Sequence, residues 1–178
     1  MTLVSSRLPS PDLAARVRKG SAEALAELYA LHGPAVHQMA FRLTGNREDA
    51  EDVTHDVFVG LPEALAHYEE RGALLAWMKR ITVRVALMRL RANRRRREVD
   101  LDEAMGLSVA AQVMGEHAEV HTAVAALATH LRVVLVLKEI EGYSHKEIAE
   151  LLGISAGASR VRLLRAIGLL RQQLGAFR

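Results

Sequence analysis

The sequence contains no cysteine and no long run of apolar residues. Without cysteine there is neither a disulfide framework nor a thiolate metal site, as is usual in a reducing cytoplasm. No apolar run reaches the roughly 20 residues that a helix needs to cross a membrane. Residues 1–18 also lack the apolar stretch of a signal peptide. The sequence therefore predicts no membrane insertion and a cytoplasmic location.

Aromatic residues and prolines are scarce, at 4% and four residues respectively. Alanine, leucine and valine supply most of the apolar residues, and alternating strand-like runs are short. These features predict an all-α fold. Because half of the 178 residues are hydrophobic, the chain can bury a core as one ordinary domain or two small ones.

The formal net charge of +3 hides a strong separation of charge along the chain. Residues 46–70 hold eight acids and one arginine, whereas residues 72–97 hold nine basic residues and no acid. After Glu150 there are five arginines and no acid. Such separation predicts different partners for different segments.

Helical periodicity and breaks divide the chain into four parts. A helical stretch after Ser21 is interrupted by a break or kink predicted at Gly33-Pro34, and Asn46 caps an acidic helix that Pro62 should kink or restart. A long basic helix follows from Leu74. The predicted parts are a lead-in at 1–20, a helical domain at 21–97, a linker at 98–120 and a second helical domain at 121–178. The second domain is predicted to contain a single helix around residues 124–141.

Residues 142–166, "GYSHKEIAELLGISAGASRVRLLRA", predict a helix-turn-helix. Ser144 and Glu147 have the spacing of a capping box, and Gly153 stands where a helix ends in a left-handed residue. The second helix would enter the DNA major groove, where arginine suits guanine and phosphate. An ordinary helical hairpin with a basic solvated face is the alternative. The predicted exposed contact residues are Ala156, Ser159, Arg160 and Arg162, with Arg165 and Arg171 further along.

The basic helix has an apolar side and a cationic side. Its packed stripe is predicted as Trp77, Ile81, Val85, Met88 and Ala92. The opposite side offers arginines and a lysine to a polyanion such as DNA. A solvated cationic face or a nonspecific RNA-binding tail would show the same sequence pattern. The exposed cations are predicted to be Lys79, Arg80, Arg84, Arg91 and Arg94.

The order of three motifs resembles the extracytoplasmic-function sigma factors, the small two-domain members of the bacterial sigma-70 family. The motifs are "GNREDAEDVTHDVF", "LLAWMKRI" before an arginine-rich helix, and "EIEGYSHKEIAELLGISAGASRVRLLRA". The resemblance covers roughly residues 20–97 and 121–173. It implies an alternative sigma factor that binds core RNA polymerase and directs promoter recognition, with no catalysis and no cofactor of its own.

The resemblance also implies roles for particular residues. Asp49, Glu51, Asp52 and Asp56 would dock on the β′ clamp of the polymerase. The segment around 67–75 and the cations Lys79, Arg80, Arg84 and Arg91 would bind the −10 promoter element. The second domain would contact the β flap and read the −35 element through Ser155, Ala156, Ser159, Arg160, Arg162 and Arg165.

A further implied partner is an anti-sigma factor, and polymerase binding would place the chain at the nucleoid. The sequence departs from the family where Leu127-Ala128 replaces a common Leu-Pro, and where apolar residues from Leu164 to Leu169 predict an extra apolar contact face. Two alternatives stay open: a helix-turn-helix regulator that does not join polymerase, and a purely protein-binding relative. His117 and His121 are too few for a metal site, so no metal is expected.

Overall fold

The computed structural model describes residues 11–68, 73–99 and 118–175, and within these ranges every regular element is helical. The predicted all-α class is confirmed. The lead-in at 1–10, the loop at 69–72 and linker residues 100–117 lie outside the described residues. The helices are α1 Pro11–Arg18, α2 Ala22–Thr44, α3 Arg47–Val59, α4 Leu61–Ala66, α5 Leu74–Val99, α6 Ala118–Ala126, α7 Thr129–Leu135, α8 His145–Leu152 and α9 Ala156–Gly175, with a π-helical turn at Val136–Ile140.

Helices α2, α3 and α5 pack against one another and form the core of the N-terminal part. Helix α1 packs against α2 and α4. The apolar positions recur every three or four residues, which places them on one face of each helix. Fully buried members are Leu28, Met39 and Leu43 from α2, Val53 and Val57 from α3, and Met78 and Val83 from α5.

Helix α2 runs without a break through Pro34, so the break predicted at Gly33-Pro34 is wrong. Pro34 lies on the exposed side of the helix, where the carbonyl that loses its backbone donor can face water. Gly33 is buried beneath the ring of Tyr29. The restart predicted at Pro62 is confirmed, because α3 ends at Val59 and α4 begins at Leu61 with this proline in its first turn.

The buried face of α5 matches the predicted stripe only in part: Trp77, Ile81 and Val85 pack against the core as predicted, but they are half-buried. Met78, Val83 and Ala86 are buried, whereas Met88 is 63% exposed. Apolar residues occupy so many positions of this helix that more than one stripe has helical spacing, and contact with α2 and α3 selects between them. Trp77 is half-buried, and the centroid of its ring lies 4.7 Å from the ring centroid of Tyr68.

The C-terminal part is built on α9, which packs against α6, α7 and α8. The single helix predicted around residues 124–141 is wrong, because the chain breaks at Leu127-Ala128 and starts α7 at Thr129. The same helix then widens into a π-helical turn, in which the Glu141 N–H donates to the Val136 carbonyl at 3.1 Å.

The predicted ends of α8 are confirmed. Ser144 and Glu147 form the reciprocal capping box, and Gly153 ends the helix with a φ of 65°. Ser155 then accepts the Ala158 N–H at 3.0 Å, which caps α9. Residues 144–175 therefore form two helices joined by a tight turn.

Candidate functional site

Three charged helix surfaces are the candidate site: the acidic α3, the basic α5 and the arginine-bearing α9. The structure exposes only part of each surface. Several of the other charges of α3 and α5 form hydrogen bonds or ion pairs, either within the N-terminal part or between the two parts of the chain.

Asp49 of α3 is held in a hydrogen-bond network. Its Oδ1 accepts from Arg89 Nε and Asn93 Nδ2, each at 2.9 Å, and its Oδ2 accepts from Asn46 Nδ2 at 2.6 Å. The side chain is 14% exposed. Burial by itself would raise the pKa of Asp49, but hydrogen bonds from Asn46, Arg89 and Asn93 together lower it. Asp49 therefore stays ionised and ties α3 to α5.

The other three acids of α3 that are predicted to contact the polymerase are more open to solvent. Asp52 is half-exposed and pairs with the same Arg89, which thus bridges two carboxylates. Glu51 pairs with Arg47 one turn earlier at 2.7 Å, in an exposed geometry that contributes little stability. Asp56 is exposed. The carboxylates of Glu51 and Asp56 are therefore the most accessible to a partner.

The cations predicted to be exposed on α5 are so with one exception. Lys79 is half-buried, and the exposed ones are Arg80, Arg84, Arg91 and Arg94. Lys79 donates to Glu141 Oε2 at 2.9 Å, and Arg91 donates to the Leu151 carbonyl at 3.0 Å. Both acceptors belong to the C-terminal part. Two of the four predicted −10 contacts are therefore already bonded across the chain.

Arg132 of α7 donates hydrogen bonds to both parts of the chain. Its five N–H groups donate to the carbonyls of Leu43, Thr44, Ala125 and Leu127 and to the Thr129 hydroxyl, at 2.7–3.4 Å. Leu43 and Thr44 end α2, and Ala125 lies in the last turn of α6, so one guanidinium serves two helix C-termini. Cations are favoured at this end of a helix.

The recognition helix α9 differs from its prediction at one position. Ser159 was expected to be exposed, but it is fully buried and its Oγ lies 2.9 Å from His145 Nδ1 of α8. Burial, followed by the charges of Lys138 and Arg160, lowers the pKa of His145. Ser159 thus joins the two helices. Leu163 and Ala166, four and seven residues later, share its buried face, and that spacing is the sequence signal for it.

The remaining predicted residues of α9 surround its solvent side. Arg160 and Arg165 are exposed, and Ala156 and Arg162 are half-exposed. Leu164 is 69% exposed, in agreement with the apolar face expected there. Ser155 is exposed at the start of the helix. Sequence reasoning missed the contacts of Arg89, Asn93, Arg132 and Glu141, because each partner is distant along the chain.

Within the described ranges, no three histidine, aspartate or glutamate side chains gather as a metal site would require. No described helix is both long and apolar enough to span a bilayer.

A helix-turn-helix whose second helix exposes arginines is typical of a DNA-binding protein. Residues 28–96 match the family model of Sigma-70 region 2, and residues 117–170 match that of Sigma-70, region 4. The chain belongs to the sigma-70 family, and the relatives that it matches include ECF sigma factors. It is an alternative sigma factor that directs promoter recognition with RNA polymerase.

Three comparisons show the extent of the similarity. ECF RNA polymerase sigma factor SigE of Mycolicibacterium smegmatis is 33% identical over 83% of this chain, which spans 59% of that protein. RNA polymerase sigma factor CarQ of Myxococcus xanthus is 32% identical over 90% of this chain and 94% of its own length. The structure of CnrH with the cytosolic domain of CnrY has a TM-score of 0.53 and 32% identity, covering 92% of this chain and 96% of that chain. CnrH is an RNA polymerase sigma factor of Cupriavidus metallidurans.

Proposed function

We propose that the three charged helices divide the work of promoter recognition between polymerase and DNA. The observation that carries this proposal is their separation. Helix α3 exposes carboxylates, whereas helices α5 and α9 expose arginines. Helix α5 has no acid before Glu98, and α9 has none because the chain contains no acid after Glu150. A polymerase surface of positive charge and the phosphates of DNA would each meet a complementary face.

Helix α3 is the proposed contact with the β′ clamp of the polymerase. Glu51 and Asp56 meet the partner directly, with Asp52 beside them. Asp49 acts differently, because its bonds to Arg89 and Asn93 hold α3 against α5. Asp49 is thus a positioning residue for the acidic surface.

Helix α5 is the proposed −10 interface. Arg80 and Arg84 are exposed for phosphate contact as the helix stands. Lys79 reaches DNA only after Glu141 releases it, whereas Arg91 is exposed and uses one N–H for the Leu151 carbonyl. We therefore assign the chain two arrangements: a packed one, and an opened one when it is bound to polymerase and promoter.

Helix α9 is the proposed −35 interface. Arg160 and Arg165 are its exposed cations, and Ser155, Ala156 and Arg162 surround the end that would enter the major groove. Ser159 contributes by fixing α8 against α9 through His145. The β flap would be met elsewhere on this domain.

The functional division follows the boundaries predicted from sequence: 1–20, 21–97, 98–120 and 121–178. The chain catalyses no reaction itself, and it works in the cytoplasm, at the nucleoid when polymerase carries it. The structure of CnrH in complex with the cytosolic domain of CnrY supports a protein partner for this chain, which we assign as an anti-sigma factor.

Formation of the complex with core polymerase tests this assignment. Glu51→Lys and Asp56→Lys should weaken binding, with helix content unchanged. Glu63→Lys, an exposed charge reversal on the neighbouring α4, is the matched control. If the acidic variants bound as well as the control, or the unmodified chain bound no core polymerase, α3 would not be the contact. The second result would favour a regulator that acts without polymerase.

A further inference from the structure

A cleft of about 830 Å³ lies where the two parts of the chain meet. Its walls come from the end of α2, the second half of α5, the start of α7, the end of α8 and the first half of α9. Cavities that hold small ligands span roughly 300–1,000 Å³. The cleft therefore has room for a ligand of nucleotide size.

Two arginines from different parts of the chain line this cleft. Arg91 reaches it from α5, Arg162 reaches it from α9, and His130 contributes an imidazole from α7. Asp49 is the carboxylate at the wall, and its oxygens already accept bonds from Arg89, Asn93 and Asn46. One N–H of Arg91 donates to the uncharged Leu151 carbonyl, so neither Arg91 nor Arg162 is paired with a carboxylate among the described lining residues.

Arg132 adds a buried charge to the same wall. All its N–H groups bond to uncharged oxygens, and none of the ion pairs found among the described residues includes it. A charge in a surrounding of low dielectric constant acts over a longer range than an exposed one. The guanidinium therefore raises the positive potential in the cleft, although all its N–H groups are bonded within the protein and none is left to donate to a ligand.

Part of the lining is apolar. Leu90 of α5 and Leu152 of α8 are half-buried there, and the buried Leu87 and Val133 also line the cleft. Small-molecule sites commonly combine such an apolar wall with a few polar groups that fix orientation. A flat ring would cover the leucines, and phosphates would lie on the arginines, which suit phosphate geometry.

We propose that this cleft binds a nucleotide carrying two or more phosphates. The ligand would join cations of both parts of the chain, Arg91 on α5 and Arg162 on α9, and so stabilise their packing. The inference goes beyond promoter recognition, and it concerns the free chain without polymerase or DNA. Its failure would therefore leave the assignment of α3, α5 and α9 intact.

Calorimetric titration of the full chain with ATP and with GTP tests the proposal, at fixed ionic strength and without magnesium. At least one nucleotide should bind more tightly than tripolyphosphate, which lacks the ring, and than adenosine or guanosine, which lack the charge. Arg162→Gln should weaken that binding by about tenfold. Arg171→Gln, an exposed arginine of the same helix outside the cleft, should change it by less than about twofold.

Circular dichroism on both variants controls for folding, and Arg162→Lys should restore part of the affinity because it keeps the charge. Equal losses in the two glutamine variants would show general charge attraction and overturn the proposal. So would tripolyphosphate binding as tightly as either nucleotide, or no nucleotide binding at millimolar concentration. Binding of duplex DNA alone would assign these cations to DNA and also overturn it.

Discussion

Gly45 and Arg132 are fitted to each other across the two parts of the chain. Gly45 ends α2 with a φ of 77°, and a Cβ atom added there would lie 2.6–2.9 Å from the guanidinium atoms of Arg132. Glycine therefore meets two needs at this position: a left-handed backbone, and space for the buried guanidinium.

Gly45→Ala should destabilise the chain more than a left-handed backbone alone explains. Gly20→Ala is the matched control, because Gly20 has a φ of 83° and nothing lies within 4 Å of its added Cβ. We expect about 1 kcal/mol for the control, and about 2–4 kcal/mol at Gly45, because Arg132 must shift and leave carbonyls without donors. Urea unfolding measures both. Equal losses would show that the guanidinium moves aside freely.

Asp49→Asn should lower stability, whereas Asp56→Asn should not. Asp49 accepts charge-assisted and amide hydrogen bonds from α5, and we expect a loss of about 1–2 kcal/mol in the free energy of unfolding. Asp56 is exposed, so its replacement should change stability by less than about 0.5 kcal/mol. Thermal unfolding of both variants decides the matter. A loss at Asp56 as large as that at Asp49 would contradict the assigned roles.

The contribution of Asp49 should depend on pH in a defined direction. The folded-state pKa of this carboxyl lies below its ordinary value of 3.8, because hydrogen bonds from Asn46, Arg89 and Asn93 outweigh its burial. Its stabilisation is therefore fully present above that value and is lost as the pH falls through the folded-state pKa. Unfolding of wild type and Asp49→Asn should differ by a constant amount from about pH 7 to 5, and the difference should shrink below about pH 4. A difference that grew on acidification would refute the predicted direction.

Ser159 and Arg160 are adjacent in sequence but should behave differently. Ser159→Ala removes a buried hydrogen bond to His145, so we expect a loss of about 1 kcal/mol in stability. Arg160→Gln removes an exposed cation of α9, so we expect unchanged stability and roughly tenfold weaker binding to −35 DNA. Fluorescence anisotropy with labelled duplex, at several salt concentrations, separates the two effects. Unchanged DNA affinity in Arg160→Gln would remove this arginine from the interface.

The helices and their caps could be predicted from sequence because they depend on neighbouring residues. The capping box at Ser144 and Glu147 and the end of α8 at Gly153 are such cases. The buried face of α5 could be predicted only in part, because more than one apolar stripe of this helix has helical spacing. Contact with α2 and α3 decides which residues are buried most deeply. The bonds from Arg132 to Leu43 and from Lys79 to Glu141 join residues 89 and 62 positions apart. No local pattern indicates such pairs, and they decide which charges remain exposed.

Transcription in vitro tests the central claim most directly. Purified core polymerase, with and without the chain, is supplied with promoters mapped by sequencing transcripts after forced expression of the chain. We predict run-off transcripts that require the chain and both promoter elements, and that weaken with Asp56→Lys. No stimulation at any of these promoters, together with no binding of the chain to core polymerase, would contradict its action as a sigma factor.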